Sequence, residues 1–361
     1  MAGVKSYVVK LRPVTPYFFG GENTFGSRGA QCYYAVSELM PQSSSLIGLV
    51  RFLILKNRLG LDGKDKEAIK REIGEKGFMI DDSLVGDGQD YGRLKSVSAV
   101  FITDADGAYY TRMPMDSGYC VCEEKYARAS HMGNGMVKIS RCDDAGNVSG
   151  SFKMKDFKNF AYWAKVGKDN GIESVREDSF IMYDERVGIN KGEKNADKEN
   201  FFKQSMIRFK GAQEFVFTVE IEDVAASAFE QASGEIVKLG ASSLFRIDIQ
   251  PGAIDWAETF RGLHQFSVKG DSLSKIILLS DLYLPDFQEL YQHSVFVWGM
   301  SKTFRSIVTD SSKDHSWSRP KKSALYRVLP AGTVIYYHES EDMKSLIDRK
   351  GLKKSGFNLF V

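Results

Sequence analysis

Between Gln213 and Asp223 the chain alternates: Phe215, Phe217, Val219 and Ile221 are spaced by polar or small residues. A period of two places all four on one face of a strand, and such a strand folds only against a second layer. Val4 to Leu11 alternates in the same way around Val4, Tyr7 and Val9 and stops at Pro13. Further strands are predicted at Lys275–Ser280, Ser294–Trp298, Ala324–Leu329 and Thr333–His338. Helical stretches interrupt them. The serines after Pro41 offer an N-cap for a helix running to about Leu59 and ending at Gly60. Leu46, Ile47, Leu49, Val50, Phe52, Leu53, Ile54 and Leu55 cover most of its circumference, which predicts burial. Gly48, in its second turn, suits close packing or close ligand approach. A charged helix is expected over Lys64–Lys76. Residues 104–170 read as insertions between strands, and Asp310–Lys322 as a Ser/Lys-rich loop. Strands mixed with single helices in two halves predict an α+β chain of two ferredoxin-like folds with large insertions, divided into residues 1–205 and 206–361.

Composition limits what such a chain can do. With 361 residues, 43% of them hydrophobic, it has ample material for a core. No run of eighteen apolar residues occurs, so no membrane span is expected. Met1–Lys5 lacks the apolar core of a signal peptide. Four cysteines are too few for a disulfide framework in this length, and a reducing cytoplasm fits them. The net charge of +2 is not that of a general nucleic-acid binder, but it leaves room for local basic patches.

The most informative stretch for function is the last eleven residues, Gly351-Leu352-Lys353-Lys354-Ser355-Gly356-Phe357-Asn358-Leu359-Phe360-Val361. Glycines admit a polyanion close to the backbone, successive N–H groups cradle phosphate, lysines add charge, and Phe357 could stack on a base. It is not a nucleotide-triphosphate loop, because Phe357-Asn358 follows where Lys-Ser/Thr is required. The competing reading makes Ser340–Lys350 a capped helix and Gly351 its ordinary C-terminal glycine. Phe152–Trp163 interleaves bases and aromatics, as single-stranded nucleic-acid binders do, and equally fits an amphipathic helix with lysines outward.

Four segments stand in order along the chain: the serine-rich helix start Pro41–Arg51, Asp184-Glu185-Arg186-Val187-Gly188-Ile189-Asn190, the glycine/serine turn Leu239–Arg246, and Leu329-Pro330-Ala331-Gly332-Thr333-Val334 leading to the closing glycine loop. Together they resemble the RAMP superfamily of CRISPR effector proteins, and more closely the subunit of type III-B (Cmr) complexes that holds the 5′ tag of the CRISPR RNA (crRNA). The related type III-A subunit is a near neighbour. The resemblance spans nearly the whole chain. It implies tandem RRM-type folds, no catalytic centre and no cofactor. It implies as partners the crRNA tag, the large polymerase-type subunit and a backbone RAMP subunit. Carried over by position, the RNA-contacting residues are Ser44, Ser45, Gly48 and Arg51, then Arg186, Val187 and Gly188, then Gly351, Lys353, Lys354, Gly356 and Phe357. Asn358 stands where a third glycine is common in these loops.

The enzyme of the same superfamily, a CRISPR-precursor endoribonuclease, commonly relies on a histidine near the first helix. Here the histidines are His131, His264, His293, His315 and His338, none within the first 130 residues. No Gly-Gly-Asp-Asp carboxylate pair offers two-metal chemistry. A purely structural subunit, without direct RNA contact, is the third reading. A zinc site from Cys120, Cys122, His131 and Cys142 is weighed against reduced thiols, the Cys-x-Cys spacing being poor for structural zinc.

Overall fold

The computed structural model describes residues 3–21, 34–60, 65–75, 77–86, 88–119, 126–131, 137–142, 148–151, 162–189, 201–241, 243–266, 273–308, 321–339 and 341–361. Cys120, Cys122, the Phe152–Ala161 part of the basic-aromatic stretch and nearly all of Asp310–Lys322 lie outside these residues.

The chain opens with β1 (Val4–Pro13), β2 (Tyr34–Val36), α1 (Ser43–Leu59), α2 (Lys66–Ile73), α3 (Asp82–Val85), β3 (Leu94–Val97), β4 (Phe101–Thr103) and β5 (Tyr109–Arg112). Strands β6 (Ser117–Tyr119), β7 (Tyr126–His131), β8 (Val137–Cys142) and β9 (Val148–Ser151) make an antiparallel sheet of their own. Then come β10 (Tyr162–Val166), β11 (Ile172–Arg176), α4 (Glu177–Phe180), β12 (Ile181–Ile189), β13 (Phe201–Phe209), β14 (Glu214–Glu222), α5 (Asp223–Glu230), β15 (Ile236–Lys238) and β16 (Leu244–Pro251). The last part holds α6 (Trp256–Thr259), β17 (Ser274–Ile277), α7 (Phe287–His293), β18 (Phe296–Trp298), β19 (Lys302–Phe304), β20 (Ile307–Val308), β21 (Lys321–Lys322), β22 (Tyr326–Val328), β23 (Val334–Tyr337), α8 (Met343–Ile347) and α9 (Lys350–Lys353).

The largest sheet runs β11-β10-β5-β4-β14-β1-β16-β15, with β3 also beside β14. Strand β1 sits antiparallel between β14 and β16, and its alternation is in register with theirs. Leu11, Val9 and Tyr7 oppose Phe215, Phe217 and Val219 on one side; Leu11 and Val9 oppose Ile247 and Ile249 on the other. All but one of these side chains are fully buried, and α1 and α5 cover them. Leu46, Ile47, Val50, Leu53 and Ile54 of α1 are fully enclosed, each contributing about 1.5–3 kcal/mol by leaving water. Gly60 closes α1 where expected, at φ +70°. The serines are not its cap: Gln42 is, through its backbone, without a side-chain cap bond.

The expected division after residue 205 falls inside β13, and β1 pairs with two strands beyond it. The backbone N–H and C=O groups of a buried central strand need partners on both edges, and β14 and β16 supply them. The architecture changes after β16 instead. Residues 273–361 carry a second antiparallel sheet, β17-β23-β18. The C-terminal residues add to its β17 edge through Ile277 N–H to Val361 O (2.9 Å) and the reciprocal bond (3.0 Å). Helices α7 and α8 cover one face, over Ile276, Leu278, Ile335 and Tyr337. The other face, with Ile277, Leu279, Val334 and Tyr336, packs with Trp256, Phe260 and Leu263 onto Phe101 and Val216 of the first sheet. The chain is thus α+β, with helices and antiparallel sheets in separate layers. Among the described residues no helix is long and apolar enough to cross a membrane.

Candidate functional site

A cleft of about 320 Å³ opens where the second sheet meets the first, and two of the four segments singled out in the sequence border it together with the closing loop. Pro41–Ser43 contribute the approach to α1, Pro330 and Ala331 the turn before β23, and Gly356 with Phe357 the closing loop. Each is held by close backbone contact. Gly332 (φ +87°) accepts from Met115 N–H at 2.8 Å, and a Cβ there would stand 2.9 Å from Met113 O. Gly356 (φ +81°) seats the closing loop against α1: a Cβ would meet Ser43 Oγ at 2.7 Å and Ser98 O at 2.8 Å. Both positions lie in the left-handed region, so only glycine fits without strain.

The closing loop is a packed element, which corrects both readings of it. Gly351 is not a helix stop, because α8 ends earlier at Ile347 and Gly351 lies inside the short α9. It is buried against α3, where a Cβ would fall 2.0 Å from Leu84 O, leaving no room for a polyanion. Nor is there a cradle of free donors. The N–H groups of Gly351, Lys353, Lys354, Ser355, Gly356, Phe357 and Asn358 all bond to carbonyls within the protein. The Phe357 ring is 4% exposed and stacks on Phe78 and Phe304, each with centroids 5.7 Å away, so it is not offered to a base. Asn358 takes the glycine-like conformation itself, at φ +55°, which asparagine tolerates. Its amide accepts from Tyr283 N–H at 2.9 Å and donates to Ile347 O at 2.9 Å. Lys353 pairs with Asp348 at 2.8 Å and lies over the Phe360 ring. Lys354 is half-buried.

The residues carried over on α1 are dispersed. Ser44 and Ser45 are half-buried; Ser44 Oγ donates to Gln42 Oε1 at 3.5 Å and Ser45 N–H to Gln42 O at 2.9 Å. Gly48 is exposed, and a Cβ there would meet nothing within 4 Å. Arg51 turns inward: Nη2 donates to Gly74 O at 3.4 Å, the guanidinium lies 6.0 Å from the Tyr91 ring centre, and burial holds its pKa below the ordinary value. Arg186 and Val187 sit on β12, away from the cleft. Val187 is 71% exposed, and Arg186 reaches Asp184 at 3.8 Å. Gly188 lies on the same strand. The glycine/serine turn, Leu239–Arg246, clamps Phe18 through Ser243 Oγ and Ala241 N–H.

The charged groups of the cleft were not singled out from the sequence. Arg112, on β5, bonds Glu177 at 2.6 Å and lies 4.1 Å from the Trp163 ring centre. Lys302, at the start of β19, pairs with Asp281 at 2.8 Å while its side chain stays 49% exposed. Burial lowers the Lys302 pKa, and the Asp281 carboxylate more than reverses this, leaving it above the ordinary value. Glu38 lines the opposite wall. Among the described residues no three His, Cys, Asp or Glu side chains gather as metal ligands do. His264, His293 and His338 all lie off the cleft.

Fold and cleft together define a two-unit α+β protein whose glycine turns lock the units around a mixed-charge groove. A family model described as CRISPR-associated protein (Cas_Cmr3) matches residues 9–361, so the chain belongs to that family, the CRISPR type III-B Cmr subunits. No curated protein matches it. Similar solved structures include a chain of the Type III-B Cmr-beta complex bound to cognate target RNA and AMPPnP, at 15% identity and TM-score 0.48, covering 99% of this chain and 96% of that one. The same complex bound to cognate target RNA gives 14% and 0.46, with the same coverage. A chain of the Csm1-Csm4 cassette in complex with pppApA gives 11% and 0.33, covering 92% of this chain and 86% of that one.

Proposed function

We propose that this chain is a non-catalytic RNA-binding subunit of a type III-B effector complex, and that it holds the 5′ tag of the crRNA along the cleft between its two units. Each unit we read as a ferredoxin-like fold: β4-β14-β1-β16 with α1 and α5, and β18-β23-β17 plus the C-terminal residues with α7 and α8. The observation that carries the proposal is the convergence of Pro41–Ser43, Pro330–Ala331 and Gly356–Phe357, far apart in sequence, on one groove bordered by Arg112 and Lys302.

The roles differ from residue to residue. The glycines shape the groove rather than touch phosphate. The first turn of the seventeen-residue α1, with Ser44 and Ser45 on it, presents its dipole beside the groove, and that end of a helix favours anions. Lys302 remains accessible to a phosphate despite Asp281. Lys353, Lys354, Arg186 and Val187 lie outside the groove, on surfaces where the neighbouring large and backbone subunits would meet the protein. No described histidine borders the groove, which supports binding without cleavage.

The test is photo-crosslinking from a crRNA carrying 4-thiouridine in its tag, in the assembled complex. Crosslinks should map to residues 38–43, 302–304 and 356–357. Crosslinks confined to other segments would remove the cleft from the RNA path. Metal-dependent or histidine-dependent cutting of the RNA by the purified chain would end the non-catalytic reading.

A further inference from the structure

The outer face of the large sheet is only half covered. Over β14, β4, β5 and β10 it is roofed by α6, the following turn and the second sheet. It reaches β1 at Val8, and beyond that residue the face at β1, β16 and β15 is largely exposed. There Lys10, Arg12, Arg246 and Lys238 face outward, the last three exposed. Arg12 lies directly opposite Arg246 in the β1–β16 register, and Arg246 in turn opposite Ile236. Lys10 and the two arginines line one open depression of about 400 Å³, together with Glu214, Ser233, Gly234 and Asp248.

Like charges placed directly across a sheet destabilise it. On the opposite face of the same sheet the cations are paired, Lys165 with Asp104 at 3.0 Å and Arg112 with Glu177 at 2.6 Å, yet none of Lys10, Arg12, Lys238 or Arg246 has an ion pair among the described residues. Asp248, opposite Lys10 in the β1–β16 register, accepts from Ser233 Oγ at 3.3 Å and from Gln250 Nε2 at 2.7 Å. Together Asp248 and Glu214 do not balance four cations. No aromatic ring borders the depression, so it has nothing on which bases would stack.

We propose that this open end of the sheet is a second nucleic-acid contact, separate from the cleft, which takes the phosphodiester backbone of a single strand without reading its bases. The arginine forks bind phosphate oxygens in pairs, and the anion relieves the repulsion between Arg12 and Arg246. The contact extends the path of a bound strand from the cleft around the first unit, and it stands or falls independently of the cleft.

The experiment measures binding of fluorescein-labelled 20-mer oligouridylate and oligothymidylate to the full-length protein across a salt series. The chemistry of the site is shared by RNA and DNA strands, and the two oligomers separate them. Arg12→Ala/Arg246→Ala should weaken binding about tenfold or more at low salt, the scale of charge-assisted hydrogen bonds. It should reduce the slope of log affinity against log salt by about 1.4, at about 0.7 per phosphate contact on a single strand. Melting temperature should hold or rise. Lys10→Ala/Lys238→Ala should act in the same direction without touching the arginine pair. Loss for both oligomers supports backbone recognition, and loss for one supports that strand as the occupant. Lys66→Ala/Arg71→Ala on α2 makes the same change in net charge elsewhere; an equal loss there overturns the proposal. So does unchanged affinity and slope in both patch variants. Lys302→Glu, run in parallel with tag-bearing crRNA, reports on the cleft alone, so failure of one site is not mistaken for failure of the other.

Discussion

The two faces of the large sheet use the same strand geometry and reach opposite electrostatic states. On the face that α1 and α5 pack against, at β5 and β10, cations are consumed by partners: Arg112 by Glu177 and the Trp163 ring, Lys165 by Asp104 and Tyr110. On the opposite face, at β1 and β16, Arg12 and Arg246 face each other across the register with no ion pair among the described residues. The difference follows from what surrounds each group. Arg112 and Lys165 lie beside the buried Trp163 and Tyr110 rings, where an unpaired charge would be stranded in low dielectric and pairing is favoured. Arg12 and Arg246 are exposed, so water solvates each cation, and charge can be kept in reserve for a ligand. A charged strand residue therefore signals binding only once its roof is known.

That contrast can be broken most severely at the seam itself. Phe357→Ala should empty the stack between Phe78 and Phe304 and cost about 3–5 kcal/mol, read as a lower midpoint in urea unfolding. A near-unchanged midpoint would mean that the closing loop does not hold the units together. Arg112→Ala should cost about 1–3 kcal/mol, because Glu177 would keep only its bond from Trp163 Nε1 at 2.9 Å; Arg12→Ala, on the opposite face, should stay within about 0.5 kcal/mol. Equal costs would erase the distinction between the two faces.

A smaller effect sharpens it by pH. Burial works against the Asp104 carboxylate, but the Tyr110 hydroxyl, Lys165 and the Ala108 N–H together hold its pKa below the ordinary value. In return, burial and then Asp104 push the Tyr110 hydroxyl up to about 12. A depressed carboxylate stabilises the fold above its unfolded pKa, and that contribution disappears as pH falls through the folded one. Thermal melts from about pH 5 downward should therefore show an acid limb that Asp104→Asn reduces. The least expected change is in Lys353→Ala, where loss of a half-exposed pair with Asp348 should shift stability by no more than about 1 kcal/mol.

Much of the framework was legible in advance because it is local. The period-two strands at Val4–Leu11 and Gln213–Asp223 are β1 and β14 within two residues, and the helix from Ser43 to Leu59 ends at Gly60 as its composition requires. The Pro-Ala-Gly turn and Gly356 do border the candidate site, but the task of the closing glycines differs from the expected one. Gly351 and Gly356 are glycines because protein backbone, not phosphate, comes too close for a side chain. The stretch expected as one helix from Ser340 to Lys350 is two, with Asp348 between them in a non-helical conformation. Packing of Gly351 beneath α3 outweighs the weak preference for continuing a short helix.

By itself the sequence determined where strands and helices form, because hydrophobic periodicity and glycine stops act over a few residues. It also determined the α+β class, and its ordered motifs carried the family. Only the tertiary structure decided that β1 joins strands more than two hundred residues away, that Arg112 and Lys302 meet at one groove, and that Arg51 and Phe357 turn inward while Arg12 and Arg246 stay open. Those outcomes depend on which face the second sheet covers, and no local pattern of residues encodes what lies across from a strand.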